Sequence, residues 1–328
     1  MKRCAAALAA GLLILLLPVC ARASDDTAAA VRTRTGEWTD TRSAMPGEEL
    51  RCRAALTLST GESWTVRSVL PAGMEFLSLT AVSAGGESVN ASYYTLVTGA
   101  RSPGSAFTLH LAPRFAREER VRLTVEWTAR LGDRCAAGTE GNVFSLKAES
   151  ESGAAVSGSA AAVYTYGFSV FRGVRFADAA VPDHPLSSAC FRLYYDAAMR
   201  EPVAFRERGG AYLACTGKDC AHSRHTYILR TAESGRVRIE GLAAGTYYLQ
   251  ESRPPSGYER SADALRVTVS ETGAVGTDGA VLSGDTLLLL ERAQEAPSEN
   301  GALAFYRRGC GVMVALFTTV LCGKRRYL

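Results

Sequence analysis

The stretch Gly241–Tyr258, GLAAGTYYLQESRPPSGY, constrains the fold more than any other part of this 328-residue chain. Residues Tyr247–Ser252 alternate between two side-chain faces, which is typical of a β-strand. Pro254 and Pro255 lack the backbone donors that a strand needs, so the strand ends before them. Arg236–Glu240 alternates in the same way, and the intervening glycines permit a tight turn. The stretch therefore predicts a β-hairpin.

Similar short alternating runs occur earlier, at Glu49–Leu58, Trp64–Leu70 and Arg120–Ala129, and clusters of Gly, Pro and Ser separate them. Short strands with frequent turns and no long helical period favour an all-β protein made of β-sandwiches. The chain is long enough for two modest domains. A small, polar segment precedes a new strand near Tyr166, so we predict the boundary between two tandem sandwiches there.

The sequence pattern of Gly241–Tyr258, G-L-x-x-G-T-Y-Y-L-x-E-x-x-x-P-x-G-Y, resembles the last third of the Cna protein B-type (SpaA-like, prealbumin-like) domain of Gram-positive pilins and adhesins. The opening motif of that family, L-x-G-A-x-F-x-L-Y, is similar to Leu186–Tyr194, with Ser188 where glycine is usual. The resemblance implies a prealbumin-like β-sandwich over residues 166–293.

Residues 24–165 resemble the fimbrial isopeptide-forming domain that precedes a B-type domain in pilins. The motifs that carry this resemblance are Pro46–Glu49, Leu70–Met74 and Gly141-Asn142. The two resemblances together imply two tandem immunoglobulin-like or prealbumin-like sandwiches.

The N-terminal residues 1–23 have the pattern of a signal peptide. Lys2 and Arg3 give a charged start, Leu12–Leu17 an apolar core, and Ala21–Ala23 a small-x-small cleavage site. We therefore expect an exported, cell-surface protein.

The C-terminal part predicts a linker at residues 294–308 and a transmembrane segment with a basic cytoplasmic tail at 309–328. Gly309–Gly323 is apolar and is followed by Lys324-Arg325-Arg326, which should stay in the cytoplasm. Pro297–Gly301 resembles a sortase sorting signal but lacks the threonine after which a sortase cuts. We therefore expect anchoring in the plasma membrane through this helix rather than attachment to the cell wall.

The resemblance also implies a site. In these pilin domains a strand lysine attacks an asparagine or aspartate, with help from a buried acid, and forms an intramolecular isopeptide bond. Here the lysine position holds Arg172, or Arg175 in the alternative register, the acid position Glu251 and the acceptor position Glu291. A guanidinium stays protonated and cannot attack. We predict that the bond is lost and that an Arg172–Glu251–Glu291 ion-pair cluster replaces it.

In the first domain the resemblance assigns the lysine to Arg32 or Arg34, the acid to Ser68 and the acceptor to Asn142. Of these three positions only the asparagine keeps the family residue. Lys147 lies five residues further along what is predicted to be the same strand, out of reach of Asn142. This covalent link should therefore also be absent.

Disulfides are an obvious substitute in an exported protein. Cys215 and Cys220 are close enough in sequence to close a small loop, and Cys52 and Cys135 could link strands of the first domain. Cys190, next to a core aromatic residue, is expected to be a buried free thiol.

The segment CTGKDCAHSRH also offers four chemically sufficient zinc ligands, Cys215, Cys220, His222 and His225. Their spacing matches no common zinc motif, and an exported loop favours oxidised cysteines. A disulfide-closed loop is the preferred interpretation, with zinc binding as an alternative.

Composition narrows the function. The formal charge of +4 is mild and no basic stripe is interleaved with aromatic residues, so nucleic acid is not an expected partner. No nucleophile–base pair stands out, so we expect no enzyme and no cofactor.

We expect instead a structural surface protein, a fimbrial subunit or adhesin stalk, whose partners are the membrane, other pilus subunits or host surface ligands. Two alternatives stay open: a module that binds a matrix protein or glycan through the insert Ala197–His225, and a metal-binding surface protein using the Cys215–His225 loop.

Overall fold

The computed structural model describes residues 29–32, 35–99, 105–176, 182–217, 220, 224–261 and 263–292. Within these ranges the regular structure is almost entirely β. One 3₁₀ turn, Ala91–Tyr93, is capped by the Asn90 side chain, which accepts a hydrogen bond from the Ser92 amide. Its strands form four sheets.

The strands up to Tyr164 form the first two sheets. Their bounds are β1 Ala29–Arg32, β2 Trp38–Thr39, β3 Thr41–Ser43, β4 Glu49–Ser59, β5 Trp64–Val69, β6 Met74–Ala84, β7 Glu87–Ser88, β8 Tyr94–Thr98, β9 Ser105–Leu111, β10 Arg120–Leu131, β11 Asn142–Ser150, β12 Ala155–Ser157 and β13 Ala161–Tyr164. One sheet has the order β2-β1-β4-β10-β6-β7, and the other has the order β3-β13-β11-β5-β9-β8, with β12 also paired to β11. We call this pair of sheets the first sandwich.

The strands from Tyr166 onward form the second sandwich. Their bounds are β14 Tyr166–Arg175, β15 His184–Pro185, β16 Cys190–Tyr194, β17 Ala204–Arg208, β18 Ala211–Cys215, β19 Leu229–Arg230, β20 Arg236–Leu242, β21 Gly245–Arg253, β22 Leu265–Val269, β23 Val275–Asp278, β24 Val281–Ser283 and β25 Thr286–Arg292. Its sheets have the orders β17-β18-β20-β14-β25-β24, with β15 on β14, and β19-β16-β21-β22-β23.

Each sandwich encloses its own hydrophobic core. In the first, strand β10 alternates strictly between buried and half-exposed positions, as expected for a strand with one face on a core. Its Trp127 meets the rings of Phe107 and Phe144 edge-on, with centroids 5.5 Å apart in both cases. In the second, Phe191, Leu193, Tyr247 and Leu249 are all buried, and they come from the two motifs that carry the family resemblance.

The hairpin predicted for the opening stretch is wrong. Strands β20 and β21 exist where the alternation placed them, but β20 pairs with β14 and β18, whereas β21 pairs with β16 and β22 in the facing sheet. The connection is therefore an arch between the two sheets. Gly241 takes φ +78°, and a Cβ there would lie 2.8 Å from the Leu213 side chain. Period-2 alternation is the same for a hairpin and an arch, because it reports only that each strand has a buried face.

A loop of the first sandwich packs against the second. The Met45 side chain is buried in the second core, and Thr216 donates its amide to the Pro46 carbonyl at 2.9 Å. Gly47 has φ +92°, and a Cβ at this position would lie 1.9 Å from the Thr216 carbonyl oxygen. The Pro-Gly pair of the first domain therefore positions the junction between the sandwiches.

Among the residues with described structure, no helix is long and apolar enough to cross a membrane. The predicted signal peptide (1–23), linker (294–308) and transmembrane segment (309–328) lie outside the described residues.

Candidate functional site

The predicted isopeptide position of the second sandwich contains a buried ion-pair cluster. Arg172 lies on β14, which runs parallel to the last strand β25 with Arg172 opposite Leu289, so Glu291 follows two residues further along β25. Glu251 lies on β21, in the facing sheet. The Arg172 side chain is 5% exposed, that of Glu251 is 1% exposed and that of Glu291 is 36% exposed.

The guanidinium of Arg172 is held by three acceptors. Its Nε donates to Glu251 Oε1 at 3.0 Å, one terminal nitrogen donates to Glu291, and the other donates to the Leu289 carbonyl at 3.4 Å. The second oxygen of Glu251 accepts the Ser261 amide at 2.9 Å. Both oxygens of the most buried carboxylate are therefore satisfied, as burial of a charge requires.

This cluster connects three strands without a covalent bond. The planar guanidinium fork suits two carboxylates. It joins β14 and β25 of one sheet to β21, the middle strand of the facing sheet. A permanently protonated guanidinium cannot act as a nucleophile. The arrangement can therefore hold the sheets together but cannot form an isopeptide bond from Arg172.

An opening to the surface borders the cluster. Its lining includes Arg172, Glu251, Tyr258, Ser261 and Glu291. Burial, with a further contribution from the Glu291 carboxylate, raises the pKa of the Tyr258 phenol above its usual value. Tyr258 therefore stays a neutral hydroxyl beside the ion pairs.

Arg175, the alternative lysine position, points elsewhere. Its guanidinium donates to both carboxylate oxygens of Asp183, at 3.0 and 2.8 Å, on the exposed side of the sheet. The hydrogen bonds from Arg175 lower the pKa of Asp183. Arg175 therefore takes part in a surface ion pair.

The first sandwich places a neutral residue at its predicted acceptor position. Asn142 is 1% exposed; its carbonyl oxygen accepts the Ala136 amide at 2.9 Å, and its amide nitrogen donates to the carbonyls of Ala136 and Val163 at 3.1 and 3.0 Å. The side chain therefore joins the start of β11 to β13 and to the preceding turn.

Ser68, the residue at the predicted acid position, is not beside Asn142. Ser68 lies opposite Leu146, four residues along β11, and its hydroxyl bonds the backbone of Phe107. Arg32 donates to the Gly36 carbonyl at 2.9 Å, and Arg34 lies outside the described residues. Lys147 is exposed on the same strand as Asn142.

Within the described ranges the cysteines divide into one disulfide and three free thiols. Cys215 and Cys220 are bonded, with Cα atoms 5.5 Å apart. Cys52, Cys135 and Cys190 are free and buried.

The Cys52–Cys135 link expected from the sequence is therefore absent. Cys52 faces Trp127 in the middle of its sheet, whereas Cys135 lies beyond the end of β10, against the Gly73 turn. A disulfide needs Cα atoms within about 7 Å, and the strand register keeps these two apart. Burial raises the pKa of both thiols.

The alternative zinc set is not assembled by the described residues. Cys215 and Cys220 have both sulfurs in the disulfide, so neither is a thiolate ligand. The His225 ring contacts the Tyr227 ring edge-on, and His222 lies outside the described residues. Within the described ranges no group of three or more potential ligands could hold a metal ion.

Two features of the second sandwich were not predicted. The Ser261 amide that binds Glu251 is a backbone group, which leaves no signal in the sequence. Ser188 has φ +65°, a left-handed conformation that favours glycine. The left-handed conformation of Ser188 had a signal in the sequence, because the family motif that Leu186–Tyr194 resembles has glycine at this position.

Comparison with known proteins gives one family match and several solved structures of similar fold. Residues 179–280 match the SpaA family, a prealbumin-like fold domain. The chain is similar in fold to the pilus 2b backbone protein of group B streptococcus, with 14% identity and a TM-score of 0.53 over 81% of this chain and 96% of that one. It is also similar to a 35 kDa C-terminal fragment of the major pilin of Streptococcus agalactiae, with 16% identity and a TM-score of 0.54 over 80% and 98%.

A third similar structure is the pilus backbone protein of Streptococcus pneumoniae, with 10% identity and a TM-score of 0.54 over 81% of this chain and 100% of that one. No protein of curated function matches the sequence significantly. The predicted resemblance to Gram-positive pilin-like proteins with a SpaA-like domain is confirmed, and at these identities the solved structures share the fold of this chain.

Proposed function

We propose that this protein is a structural subunit of the Gram-positive cell surface, either a fimbrial subunit or the stalk of an adhesin, and that it is not an enzyme. The observation that carries the proposal is the fold match with pilus backbone proteins, which extends over both sandwiches and covers 96% to 100% of three such chains. A rigid tandem of sandwiches is suited to bearing load and to spacing a ligand-binding tip from the membrane.

In this proposal residues 24–165 form a fimbrial isopeptide-forming-like domain and residues 166–293 a SpaA-like domain. The strand assignment supports this division, because the strands up to Tyr164 and those from Tyr166 onward form separate sheets. The signal peptide at 1–23 exports the protein, and the segment at 309–328 anchors it in the plasma membrane.

Cell fractionation tests the location. The protein should be accessible to protease on intact cells and should be extracted by detergent from membranes, because the degenerate sorting motif Pro297–Gly301 lacks the sortase threonine. Recovery in the cytoplasm would contradict the whole proposal. Release only after muramidase digestion would contradict the mode of anchoring and leave the surface role intact.

We further propose that the Arg172–Glu251–Glu291 cluster replaces a lost isopeptide bond. The support is its position, because it joins β14 and β25 of one sheet to β21 of the facing sheet. Intact-mass measurement of the wild-type protein should show only the hydrogen losses of cysteine oxidation. A loss of ammonia or water would contradict the proposal.

Rebuilding the chemistry sharpens this test. In Arg172→Lys/Glu291→Asn, the introduced amine can attack the introduced amide carbon, forming a C–N bond while ammonia leaves. Glu251 relays the amine proton to the leaving group. We expect a mass lower by one ammonia, and no such loss when Glu251→Ala is added. Full absence of the product in the double variant would mean that these positions are not placed for cross-linking.

A second candidate role is ligand binding through the insert of the second sandwich. Tyr195, Tyr227 and Ile228, at the ends of this insert, are large apolar side chains that are exposed. Binding to a glycan or matrix-protein array that is lost in Tyr227→Ala, but kept in Val281→Ala on a distant exposed edge, would establish this role.

A further inference from the structure

The edges of the four sheets differ in how they are protected. An exposed edge carries unpaired backbone groups, and proteins usually protect it with short strands, charges, proline, glycine or bulges. Strands β2, β7, β15 and β19 have two residues each, and β3, β12 and β24 have three. Strand β17 carries Arg206, Glu207 and Arg208, and β23 carries Gly276 and Asp278.

Strand β6 is also open over most of its length, because β7 pairs only with Ser83 and Ala84. It carries two register shifts against β10 and the charged Glu75. Bulges of this kind twist an edge away from a flat partner.

Strand β8 has none of these protections. It is a five-residue edge strand, Tyr94–Thr98, without charge, proline or glycine, and its pairing with β9 shows no register shift. Leu96 is 37% exposed and Val97 is 41% exposed. Among the described edge strands, this combination of length, regularity and apolar exposure is found in β8.

The hydrogen-bonding phase shows which backbone groups of β8 are open. Ala112 donates its amide to the Tyr93 carbonyl at 2.8 Å, and opposite residues in an antiparallel pair alternate between bonded and non-bonded. Thr95 and Val97 therefore bond to β9, whereas Tyr94, Leu96 and Thr98 direct their amides and carbonyls away from it. No other strand of the described residues pairs with this edge, so three donors and three acceptors are available to a further strand.

We propose that two copies of this chain associate through β8, as an antiparallel pair centred on Leu96. This register places Leu96 opposite Leu96 of the partner subunit. It also brings the outward backbone groups of Tyr94 opposite those of Thr98 of the partner subunit. A two-fold contact of this kind closes on itself and is the commonest symmetry among soluble oligomers.

Charge favours a second copy over an oppositely charged partner. The segment Asn90–Gly99 contains no ionisable side chain other than the phenols of Tyr93 and Tyr94, so self-pairing brings no like charges together. The same absence gives a charged peptide nothing to recognise on this strand. Dimerisation through β8 is independent of the fimbrial role and would stand if that role were wrong.

Sedimentation of the purified full-length chain over a range of concentrations tests the association. Leu96→Lys places two like charges opposite each other, and the dissociation constant of the dimer should rise about tenfold or more. The matched control is Val143→Lys, at an exposed apolar residue of β11 inside the same sheet, which should leave the dissociation constant unchanged. Circular dichroism melting checks that both variants are folded.

Cysteine cross-linking tests the register without depending on a stable soluble dimer. When the purified chain is treated with a mild oxidant, Leu96→Cys should give a reducible dimer, because facing Cβ atoms in a strand pair are about 5 Å apart. The wild type, whose free thiols are all buried among the described residues, and Val143→Cys should give none. A monomer at every concentration, an unchanged dimer in Leu96→Lys, or equal cross-linking at both cysteine positions would overturn the proposal.

Discussion

Asn142 in the first sandwich and Arg172 in the second are buried polar residues at the positions to which the family resemblance assigns cross-link chemistry. Asn142 is neutral and is satisfied by backbone groups of β13 and of the turn before β11. Arg172 is charged and reaches two carboxylates, one of them on the facing sheet. Both make only non-covalent contacts, but the energetic consequences differ.

Neutral hydrogen bonds each contribute about 1 kcal/mol net, because folding exchanges them for bonds to water. A buried ion pair loses most of its attraction to desolvation, so its net contribution is small even though breaking it is costly. The second sandwich therefore depends on keeping its charges together, whereas the first depends on an ordinary polar contact. Substitutions at these two sites test this contrast.

The largest effect is expected for Glu251→Ala. It leaves the buried Arg172 guanidinium without its main carboxylate partner and should lower the free energy of unfolding by about 3–5 kcal/mol. Denaturant titration measures the change. The double variant Arg172→Met/Glu251→Leu should cost much less, because no buried charge is left unpaired; equal costs for the single and double variants would refute the account.

A smaller loss is expected in the first sandwich. Asn142→Ala removes the partner of one amide and two carbonyls and should cost about 2–3 kcal/mol. The control is Val143→Ala, the exposed neighbour on the same strand, which should change the stability by less than about 0.5 kcal/mol. If Asn142→Ala destabilises as much as Glu251→Ala, the contrast between neutral and charged sites fails.

The disulfide should contribute to the stability of the second sandwich alone. Cys215 and Cys220 are five residues apart in sequence, and the loop-entropy relation gives about 2 kcal/mol for a loop this short. Reductant should lower the melting temperature of the wild type by the same amount as Cys215→Ser/Cys220→Ser, and it should have no effect on that double variant. Sensitivity to reductant in the double variant would point to another oxidised cysteine pair.

The smallest expected effect is an increase in stability. Ser188→Gly relieves a left-handed conformation and should stabilise the protein by about 0.5 kcal/mol, the difference between the strain of a side chain there and the entropy cost of glycine. Ser187→Gly, whose backbone is not in the left-handed region, should instead destabilise slightly. Thermal melting of both variants separates the two cases, and a loss of stability in Ser188→Gly would show that the serine hydroxyl outweighs the strain.

Alternation along the chain was sufficient to predict an all-β protein and to place strands such as β4, β5, β10 and β21 within a few residues. The residue type at position 172 is sufficient to predict that this side chain cannot act as a cross-linking nucleophile, because a guanidinium is protonated in any environment. Those conclusions depend on local geometry and on intrinsic acidity, which the sequence carries directly.

The partners of the strands and of the cysteines were decided by tertiary structure. Whether β20 and β21 form a hairpin or an arch depends on which sheets lie beside them, and the separation of Cys52 and Cys135 depends on the register between β4 and β10. The contact of Arg172 with Glu251 was predicted from the family resemblance rather than from a local pattern, and it forms because the two sheets pack face to face. Contacts between residues far apart in sequence are set by the packing of whole strands, and no local pattern encodes them.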